Sequence, residues 1–378
     1  MRLPRLLVLP ALACLALVFG ATTAAAKTTD AEVLKGLEGL VTSPAGPPGA
    51  IATLYRDGKL TTLSAGRADN TKRAKPRATE HMRIASVAKA FSGAVALHLV
   101  GDGKLSLDDT IAKLLPTLPS AWGEVTVEQL LHHTSGVPDY TKSDGFIKQA
   151  ETNPRGYVSP QKVISWVAKE PLVFKPDSKY EYSNTDNIVV GLMVEAVTTK
   201  TYAANLQQIV FGPTKLTQTS LPTKVKIPSP FIHGYIAATE TESEQDVSEA
   251  LSPSGAWASG GIISTPQNLN AFIRADLGLK FFARAQQQQQ MNWWAGGESS
   301  PPGPGKNSAG LALFRYQTKC GTVYGHTGNF PGYTQFAAAT ADGSRAVTTT
   351  LNIPAPTGQL LTQLRHVQVA AVCDLLGK

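Results

Sequence analysis

A serine and a lysine lie three residues apart in residues 82–91, where an apolar helical pattern begins. Residues at this spacing share one face of a helix, so the Ser86 hydroxyl and the Lys89 amine can meet. The start of a helix also offers free backbone N–H groups and a positive potential to an anion that develops there. The pair could form an activated serine, or Ser86 could cap the helix ahead of a solvated lysine. Partners elsewhere in the chain must decide between these interpretations.

Two common hydrolase motifs are absent from the sequence, namely Gly-x-Ser-x-Gly of the α/β-hydrolases and His-Glu-x-x-His of the zinc hydrolases. The adjacent His132 and His133 fall in a turn without a nearby carboxylate or thiolate, so we expect no metal site and no cofactor. Two short motifs follow Ser86 along the chain, Tyr182-Ser183-Asn184 and His326-Thr327-Gly328. Each of them alone is more typical of a packed tyrosine or of the end of a strand than of a catalytic site.

Taken in order, Ser-x-x-Lys, Tyr-x-Asn and His-Thr-Gly resemble the motifs of the penicillin-recognising serine hydrolases. This family includes class C β-lactamases, low-molecular-mass DD-carboxypeptidases (penicillin-binding proteins) and related esterases. Segments 84–89, 103–109, 130–140 and 260–270 also look like parts of it, so the resemblance covers roughly residues 35–375. Because a histidine replaces the more usual lysine at position 326, residues 323–328 look most like the secreted DD-carboxypeptidase/transpeptidase branch.

The resemblance implies a role for each motif. Ser86 would be the nucleophile, and Lys89 and Tyr182 would act as one coupled proton relay, either of which could take the serine proton. Tyr182 would protonate the leaving amine. The oxyanion would be stabilised by the backbone N–H groups of Ser86 and Asn329, and Gly328 would allow the backbone to approach the substrate.

The remaining candidates would bind substrate. The amide of Asn184 would bind the acyl-side carbonyl and orient Lys89, while His326 and Thr327 would lie beside a terminal carboxylate. A histidine is mostly neutral at pH 7, which predicts a carboxylate affinity that weakens at alkaline pH.

Two further residues, Arg315 and Trp257, each have two possible placements. Arg315 is a candidate second cation; if it points away from the site, a substrate with a free carboxylate becomes less favoured than an ester. Trp257 would either wall the substrate groove or lie in the core.

The pattern of strands and helices predicts an α+β fold (an α/β sandwich). Strand patterns occur early in the chain around the Asp57-Gly58 turn and again after residue 310, and they enclose a helical middle. We therefore expect an antiparallel sheet flanked by terminal helices in residues 30–40 and 357–376, with an all-helical lobe inserted at about residues 100–250. Further helices are expected at 265–277 and 281–294, an exposed acidic segment at 240–246, and a surface loop at 298–306.

The N-terminus is typical of a signal peptide. Arg2 and Arg5 precede an apolar run at residues 6–19, and small residues follow up to Ala26. We expect cleavage near Ala26, a secreted serine hydrolase domain in residues 27–378, and no membrane span after cleavage because the apolar run is too short. The net charge of +7 comes from dispersed basic residues, so nucleic acid is not an expected partner.

Two cysteines remain in the mature chain, Cys320 and Cys373, and could form one disulfide or stay as free thiols. The resemblance implies that they pair. It also favours a secreted, monomeric D-alanyl-D-alanine carboxypeptidase that acts on peptidoglycan stem peptides and binds β-lactams. The alternatives on the same machinery are an esterase, a D-aminopeptidase or amidase, and a class C-like β-lactamase. A non-catalytic β-lactam or muropeptide binder would have no need of Ser86, Lys89 and Tyr182 together.

Overall fold

The computed structural model describes residues 28–236 and 244–378. The expected signal peptide, residues 1–26, and residues 240–243 of the acidic segment lie outside the described residues. Within the described part, one eight-stranded sheet, in which every neighbouring pair is antiparallel, carries the fold.

The sheet is built from both ends of the chain, in the order β2-β1-β12-β11-β10-β9-β8-β7. A tight turn at Asp57 and Gly58 joins the first two strands, as the sequence predicts. Two further two-stranded ladders lie outside the sheet, β3 with β6 and β4 with β5. The strands are β1 (Gly49–Arg56), β2 (Lys59–Gly66), β3 (Met82–Arg83), β4 (Tyr235–Ile236), β5 (Gln245–Asp246), β6 (Ile263–Ser264), β7 (Trp294–Ala295), β8 (Lys306–Ala309), β9 (Phe314–Thr318), β10 (Gly321–Phe330), β11 (Tyr333–Ala339) and β12 (Ala346–Leu351).

Helices lie near both ends of the described chain and, separated by loops, between β3 and β7. They are α1 (Asp30–Thr42), α2 (Ala88–Gly101), α3 (Ile111–Leu114), α4 (Val127–His132), α5 (Asp144–Thr152), α6 (Pro160–Ser165), α7 (Asn184–Thr198), α8 (Tyr202–Leu206), α9 (Trp257–Gly260), α10 (Pro266–Leu277), α11 (Arg284–Gln290) and α12 (Gly358–Leu376). None of these helices is both long and apolar enough to cross a membrane. The boundaries of the inserted lobe stay a prediction.

Two hydrophobic cores cover the two faces of the sheet. On one face, α1 and α12 bury apolar side chains such as Leu37 and Leu364 against the strands. On the other face, α10 lies on the sheet and α2 packs against α10. The rings of Phe91 in α2 and Phe272 in α10 are stacked with 3.4 Å between their centroids. Nearly every side chain of α2 is buried, as expected for a helix that is apolar on all sides. The α+β prediction is therefore confirmed.

Two local predictions need correction. The helix expected at 281–294 is limited to α11, because the chain turns at Met291 and then forms the short strand β7. The surface loop expected at 298–306 is partly buried, and Ser299 is only 2% exposed. The pairing implied for the cysteines is present, since a disulfide joins Cys320, before β10, to Cys373 in α12 with their Cα atoms 5.1 Å apart.

Candidate active site

Ser86 lies in a short 3₁₀ turn, Ala85–Val87, between β3 and the start of α2. The residue before it, Ala85, has a φ of 52°. A non-glycine residue in this left-handed region is strained, and such strain persists only where the surrounding structure fixes the backbone. Here Ile84 donates a 3.2 Å hydrogen bond to the Ile262 carbonyl. The result is a fixed turn that presents the Ser86 hydroxyl at the edge of a pocket.

Lys89 lies on the same side of this helix start and is fully buried. Its Nζ is 3.1 Å from Ser86 Oγ, and it donates 2.8 Å hydrogen bonds to Asn184 Oδ1 and to the Ser259 carbonyl. Burial lowers the pKa of Lys89 to about 7, and the charge of Asp139 opposes this shift only in part. A large fraction of Lys89 is thus a neutral amine near neutral pH, which is the form that can accept a proton from Ser86.

Asn184 begins α7 and connects Lys89 to a carboxylate. Its Oδ1 accepts from Lys89, and its Nδ2 lies 3.1 and 3.3 Å from the two carboxylate oxygens of Asp139. These contacts fix the amide so that its oxygen faces the lysine. Asn184 therefore orients Lys89, as expected, and its contact with a substrate carbonyl stays a prediction.

The ring of Tyr182 lies beside the same lysine, with its centroid 4.9 Å from Lys89 Nζ. Its buried hydroxyl makes no hydrogen bond of normal geometry within the described residues. Burial raises the pKa of Tyr182 above its ordinary value, and the neighbouring Ser86 hydroxyl opposes this only in part. Tyr182 is consequently a neutral phenol at neutral pH, so the pKa values of the two groups favour Lys89 over Tyr182 as the base for Ser86.

The opposite wall of the pocket is the end of β10. A Cβ atom at Gly328 would lie 2.6 Å from the Ile84 carbonyl oxygen and 3.0 Å from the Ser86 backbone nitrogen, so only glycine allows this approach. Asn329 follows and lines the pocket together with Ser86. This arrangement suits the oxyanion site that the resemblance implies, formed by the backbone N–H groups of Ser86 and Asn329, and their role stays a prediction.

The side chains of His326 and Thr327 do not line this pocket and are both buried. Thr327 Oγ1 donates to the Pro301 carbonyl, and the His326 ring bonds to the Thr327 carbonyl. Burial, and then the charge of Lys89, lowers the pKa of His326 to about 3. The expected carboxylate site on this strand is therefore neutral and covered. His326 does not change its charge near neutral pH, so it cannot cause the expected loss of carboxylate affinity at alkaline pH.

The segment that covers this strand is residues 298–305, hereafter the cover loop. Tyr180 OH donates a 2.6 Å hydrogen bond to the Glu298 carbonyl, and Ser299 Oγ lies 2.9 Å from Tyr316 OH. The side chain of Asn307 bonds to the backbone of Gly303 and Gly305. These contacts attach the cover loop to the sheet over Thr327.

Arg315 and Trp257 lie away from the pocket, which corrects two predicted substrate contacts. Arg315 donates a 3.2 Å hydrogen bond to Ser308 Oγ, and its guanidinium lies 5.3 Å from the Trp293 ring.

Trp257 packs edge-to-face on Tyr202 at 5.1 Å and fills the space next to Gly191, where a Cβ atom would lie 2.6 Å from its ring. Trp257 is therefore a packing residue, and Arg315, near the start of β9, contacts Ser308 and Trp293 instead of lining the pocket.

The pocket has a volume of about 480 Å³ and an apolar interior. Its walls combine Ser86, Tyr182 and Asn184 with aromatic and aliphatic side chains, notably Phe146 and Trp166. Among the described residues, none that lines the pocket is a lysine, arginine, histidine, aspartate or glutamate. Residues 28–236 and 244–378 also contain no group of three or more His, Cys, Asp or Glu side chains placed to hold a metal ion.

Sequence reasoning missed several residues of this site. Asp139 contacts Asn184, and the Ser259 carbonyl accepts a hydrogen bond from Lys89. His133 and Asp186 lie close by, with 2.8 Å between His133 Nδ1 and Asp186 Oδ2. Asp139 and His133 belong to segment 130–140, which resembles the family, and this was the available signal. Asp186 gave none, because the sequence does not indicate that it lies beside His133.

The family model described as "Beta-lactamase" matches residues 38–371, most of the chain. The chain belongs to the beta-lactamase family. It is therefore a member of a serine hydrolase superfamily whose fold has the sheet and helices described above. The order of the three motifs along the sequence is consistent with this membership.

Curated relatives of this family member match only part of its length. Protein flp of Staphylococcus aureus (strain N315) is 31% identical over 179 residues, which are 46% of this chain and 34% of flp. Penicillin-binding protein 4* of Bacillus subtilis (strain 168) is 24% identical over 281 residues, 71% of this chain and 60% of that protein. The match thus spans about a third of flp, and the activities of these longer proteins are not carried over as established.

Solved structures match nearly the whole chain. A D-stereospecific amidohydrolase from Streptomyces sp. is 26% identical with a TM-score of 0.77, covering 89% of this chain and 98% of that one. The D-amino acid amidase of Ochrobactrum anthropi SV3, complexed with L-phenylalanine, is 23% identical with a TM-score of 0.78, covering 90% and 96%. An octameric penicillin-binding protein homologue from Pyrococcus abyssi, 20% identical with a TM-score of 0.74, covers 92% and 77%. The last two likenesses show the shared fold alone.

Proposed function

We propose that this serine hydrolase forms an acyl-enzyme on Ser86 and acts on D-aminoacyl amides or esters whose leaving group carries no free carboxylate. The observation that carries the substrate part is the pocket, whose lining among the described residues holds no charged or titratable cation. Membership of the family supports the serine chemistry. The Streptomyces amidohydrolase, which is similar over nearly the whole chain, supports the amide substrate.

The proposed reaction starts from neutral Lys89. Its Nζ, 3.1 Å from Ser86 Oγ, takes the hydroxyl proton while the oxygen attacks the substrate carbonyl carbon. The backbone N–H groups of Ser86 and Asn329 stabilise the oxyanion. Tyr182 donates its proton to the leaving nitrogen or oxygen as the bond to the carbonyl carbon breaks, and Lys89 returns a proton to Tyr182. Water then attacks the acyl-enzyme by the same steps in reverse.

The pocket favours a hydrophobic acyl group. Tyr140, Phe146, Val158 and Trp166 line it, and their apolar surface stabilises a buried hydrophobic side chain by roughly 25 cal/mol per Å² of area removed from water. A carboxylate placed in the same pocket would lose its hydration without gaining a cation, which costs free energy. An amide or ester at the C-terminal side of the scissile bond avoids this cost.

A D-alanyl-D-alanine carboxypeptidase that binds β-lactams is the second candidate. The His-Thr-Gly motif and the similarity to Penicillin-binding protein 4* favour it. This activity requires that a substrate carboxylate reach Thr327, so the contact between Thr327 and Pro301 must open. In either case we propose that residues 1–26 direct export, which places the enzyme outside the cytoplasm with its disulfide intact.

A matched pair of substrates separates the two candidates. N-acetyl-D-phenylalanyl-D-alanine and its C-terminal carboxamide differ only in the terminal carboxylate. We expect kcat/KM to be at least about tenfold higher for the carboxamide, since about 1.4 kcal/mol of discrimination corresponds to this factor. A preference for the free carboxylate would instead establish the carboxypeptidase.

Acylation itself is tested by intact-mass measurement after reaction with a 4-nitrophenyl ester. A mass increase on wild type that is lost in Ser86→Ala is the expected result. An adduct that survives in Ser86→Ala would overturn the proposed nucleophile.

A further inference from the structure

A buried histidine and carboxyl group lie next to Tyr182, and no step of the proposed reaction uses them. His133 ends α4 in a left-handed conformation with a φ of 59°. Its Nδ1 lies 2.8 Å from Asp186 Oδ2, and the side chains of the two residues are 1% and 0% exposed. Burying two ionisable groups costs free energy unless they form hydrogen bonds with each other or with a neighbouring group.

His133 contacts the segment around Tyr182 in three ways. Its backbone carbonyl accepts a 2.9 Å hydrogen bond from the Glu181 N–H, and its Nδ1 lies 3.4 Å from the Ser183 N–H. Its ring lies against the Tyr182 ring with 4.4 Å between centroids. The residues on both sides of Tyr182 are thus attached to His133, and the phenol ring rests on the imidazole.

These hydrogen bonds also locate a proton. The Ser183 N–H, 3.4 Å from His133 Nδ1, can only donate, which favours an Nδ1 that accepts and a carboxyl group of Asp186 that supplies the hydrogen of their 2.8 Å contact. The other carboxyl oxygen of Asp186 accepts a 2.6 Å hydrogen bond from Ser135. A protonated Asp186 beside a neutral His133 fits all three contacts.

The surroundings of the pair favour this uncharged state. Burial lowers the pKa of His133, and the positive charges that face it belong to Lys89, His326 and His132 when protonated. Burial raises the pKa of Asp186, and the groups that face it are Ser135, Asp139 and Lys89. The rings of Tyr180 and Tyr182, which are neutral, complete the surroundings.

We infer that His133 and Asp186 form a positioning pair for Tyr182, which share one proton and carry no net charge. The inference rests on the proposed acylation of Ser86. The pair fixes the phenol beside Ser86 and Lys89 through both of its chain neighbours. Because it is uncharged, it places no negative charge next to Lys89, where a carboxylate would stabilise the ammonium form and weaken the base.

The test compares two substitutions of Asp186, which lies in regular helical backbone. In Asp186→Asn, the amide N–H can donate to His133 Nδ1 and the amide oxygen can accept from Ser135. We expect its acylation rate constant to stay within about threefold of wild type, with the same midpoint pH. In Asp186→Leu, of similar volume, both partners lose their hydrogen bonds, and we expect kcat to fall about 10- to 100-fold while KM changes less than twofold, as for a misplaced catalytic group.

Three outcomes would overturn the inference. One is an acid shift of the midpoint by about half a pH unit or more in Asp186→Asn, since this would mean that Asp186 is ionised in wild type. Another is a folded Asp186→Leu variant with wild-type kcat. The third is a loss in Asp186→Asn as large as in Asp186→Leu. If Asp186→Leu does not fold, the midpoint and rate of Asp186→Asn decide alone. Failure of wild type to acylate would instead overturn the proposed function.

Discussion

The two walls of the pocket use their residues in different ways. The helical wall, at the starts of α2 and α7, places Lys89 at hydrogen-bond distance from Ser86 and Asn184 at hydrogen-bond distance from Lys89. The sheet wall, at the end of β10, keeps the side chains of His326 and Thr327 buried and bonded to backbone carbonyls. Its backbone at Gly328 instead approaches the turn that holds Ser86. We therefore propose that the family motifs act through side chains on one wall and through backbone groups on the other.

The difference follows from what covers each wall. Spacing along a helix fixes which side chains share a face, so the contact between Ser86 and Lys89 depends on three residues of local structure. A residue on a strand is available to a substrate only if no other segment lies over it. Here the cover loop occupies this position and its Pro301 carbonyl takes the Thr327 hydrogen bond. The motifs therefore predict which side chains reach the substrate better for the helical wall than for the sheet wall.

The largest effect that we expect on the sheet wall comes from its backbone. Gly328→Ala would place a methyl group 2.6 Å from the Ile84 carbonyl oxygen and 3.0 Å from the Ser86 nitrogen, and so displace the strand from the turn. Loss of an oxyanion donor typically lowers kcat about 10²- to 10³-fold. We expect Gly328→Ala to lower kcat by about 10²-fold or slightly less. Steady-state kinetics with the 4-nitrophenyl ester measures it.

Gly39→Ala is the matched control for this variant, because a Cβ atom at Gly39 meets nothing within 4 Å. It should keep wild-type activity. A Gly328→Ala enzyme with wild-type kcat would show that the backbone of β10 does not take part in the reaction.

A much smaller effect is expected from the side chains of the same wall. Thr327→Val removes the hydrogen bond to Pro301 while keeping the shape, which should lower the free energy of unfolding by about 1 kcal/mol. We expect kcat/KM for the carboxamide substrate to change by less than about threefold, because Thr327 does not line the pocket. Urea unfolding and steady-state kinetics measure the two quantities.

Arg315→Gln serves as a control for charge, since Arg315 lies away from the pocket with Ser308 and Trp293. The proposed difference between the walls would be contradicted if Thr327→Val or Arg315→Gln lowered kcat/KM by more than about tenfold only for substrates with a free carboxylate.

Sequence alone was sufficient to predict the parts of this site that depend on short spacing. The antiparallel sheet built from both ends of the chain, the Ser86–Lys89 contact and the approach of Gly328 all follow from local patterns or from the family resemblance. The cover loop was misjudged because its proline- and glycine-rich composition is typical of exposed segments, whereas its burial depends on Tyr180 and Tyr316 from distant parts of the chain.

The pair of His133 and Asp186 shows the same limit. The sequence around the two adjacent histidines predicts no carboxylate partner, yet Asp186 reaches His133 because α7 packs against α4. Likewise, the spacing predicts where Lys89 lies, but its neutral state depends on complete burial by residues from several elements. Tertiary packing thus determines the charge states that the motifs leave open.

The central claim, that neutral Lys89 on the helical wall is the base for Ser86, is tested most directly by the pH dependence of acylation. The rate constant for acylation by the 4-nitrophenyl ester should rise with pH and level off with a midpoint near 7, because the pKa of Lys89 is lowered to about 7. Below that midpoint it should fall about tenfold per pH unit as the amine is protonated. A rate constant that rises with a midpoint near 10, or that is independent of pH between 5 and 9, would contradict the account.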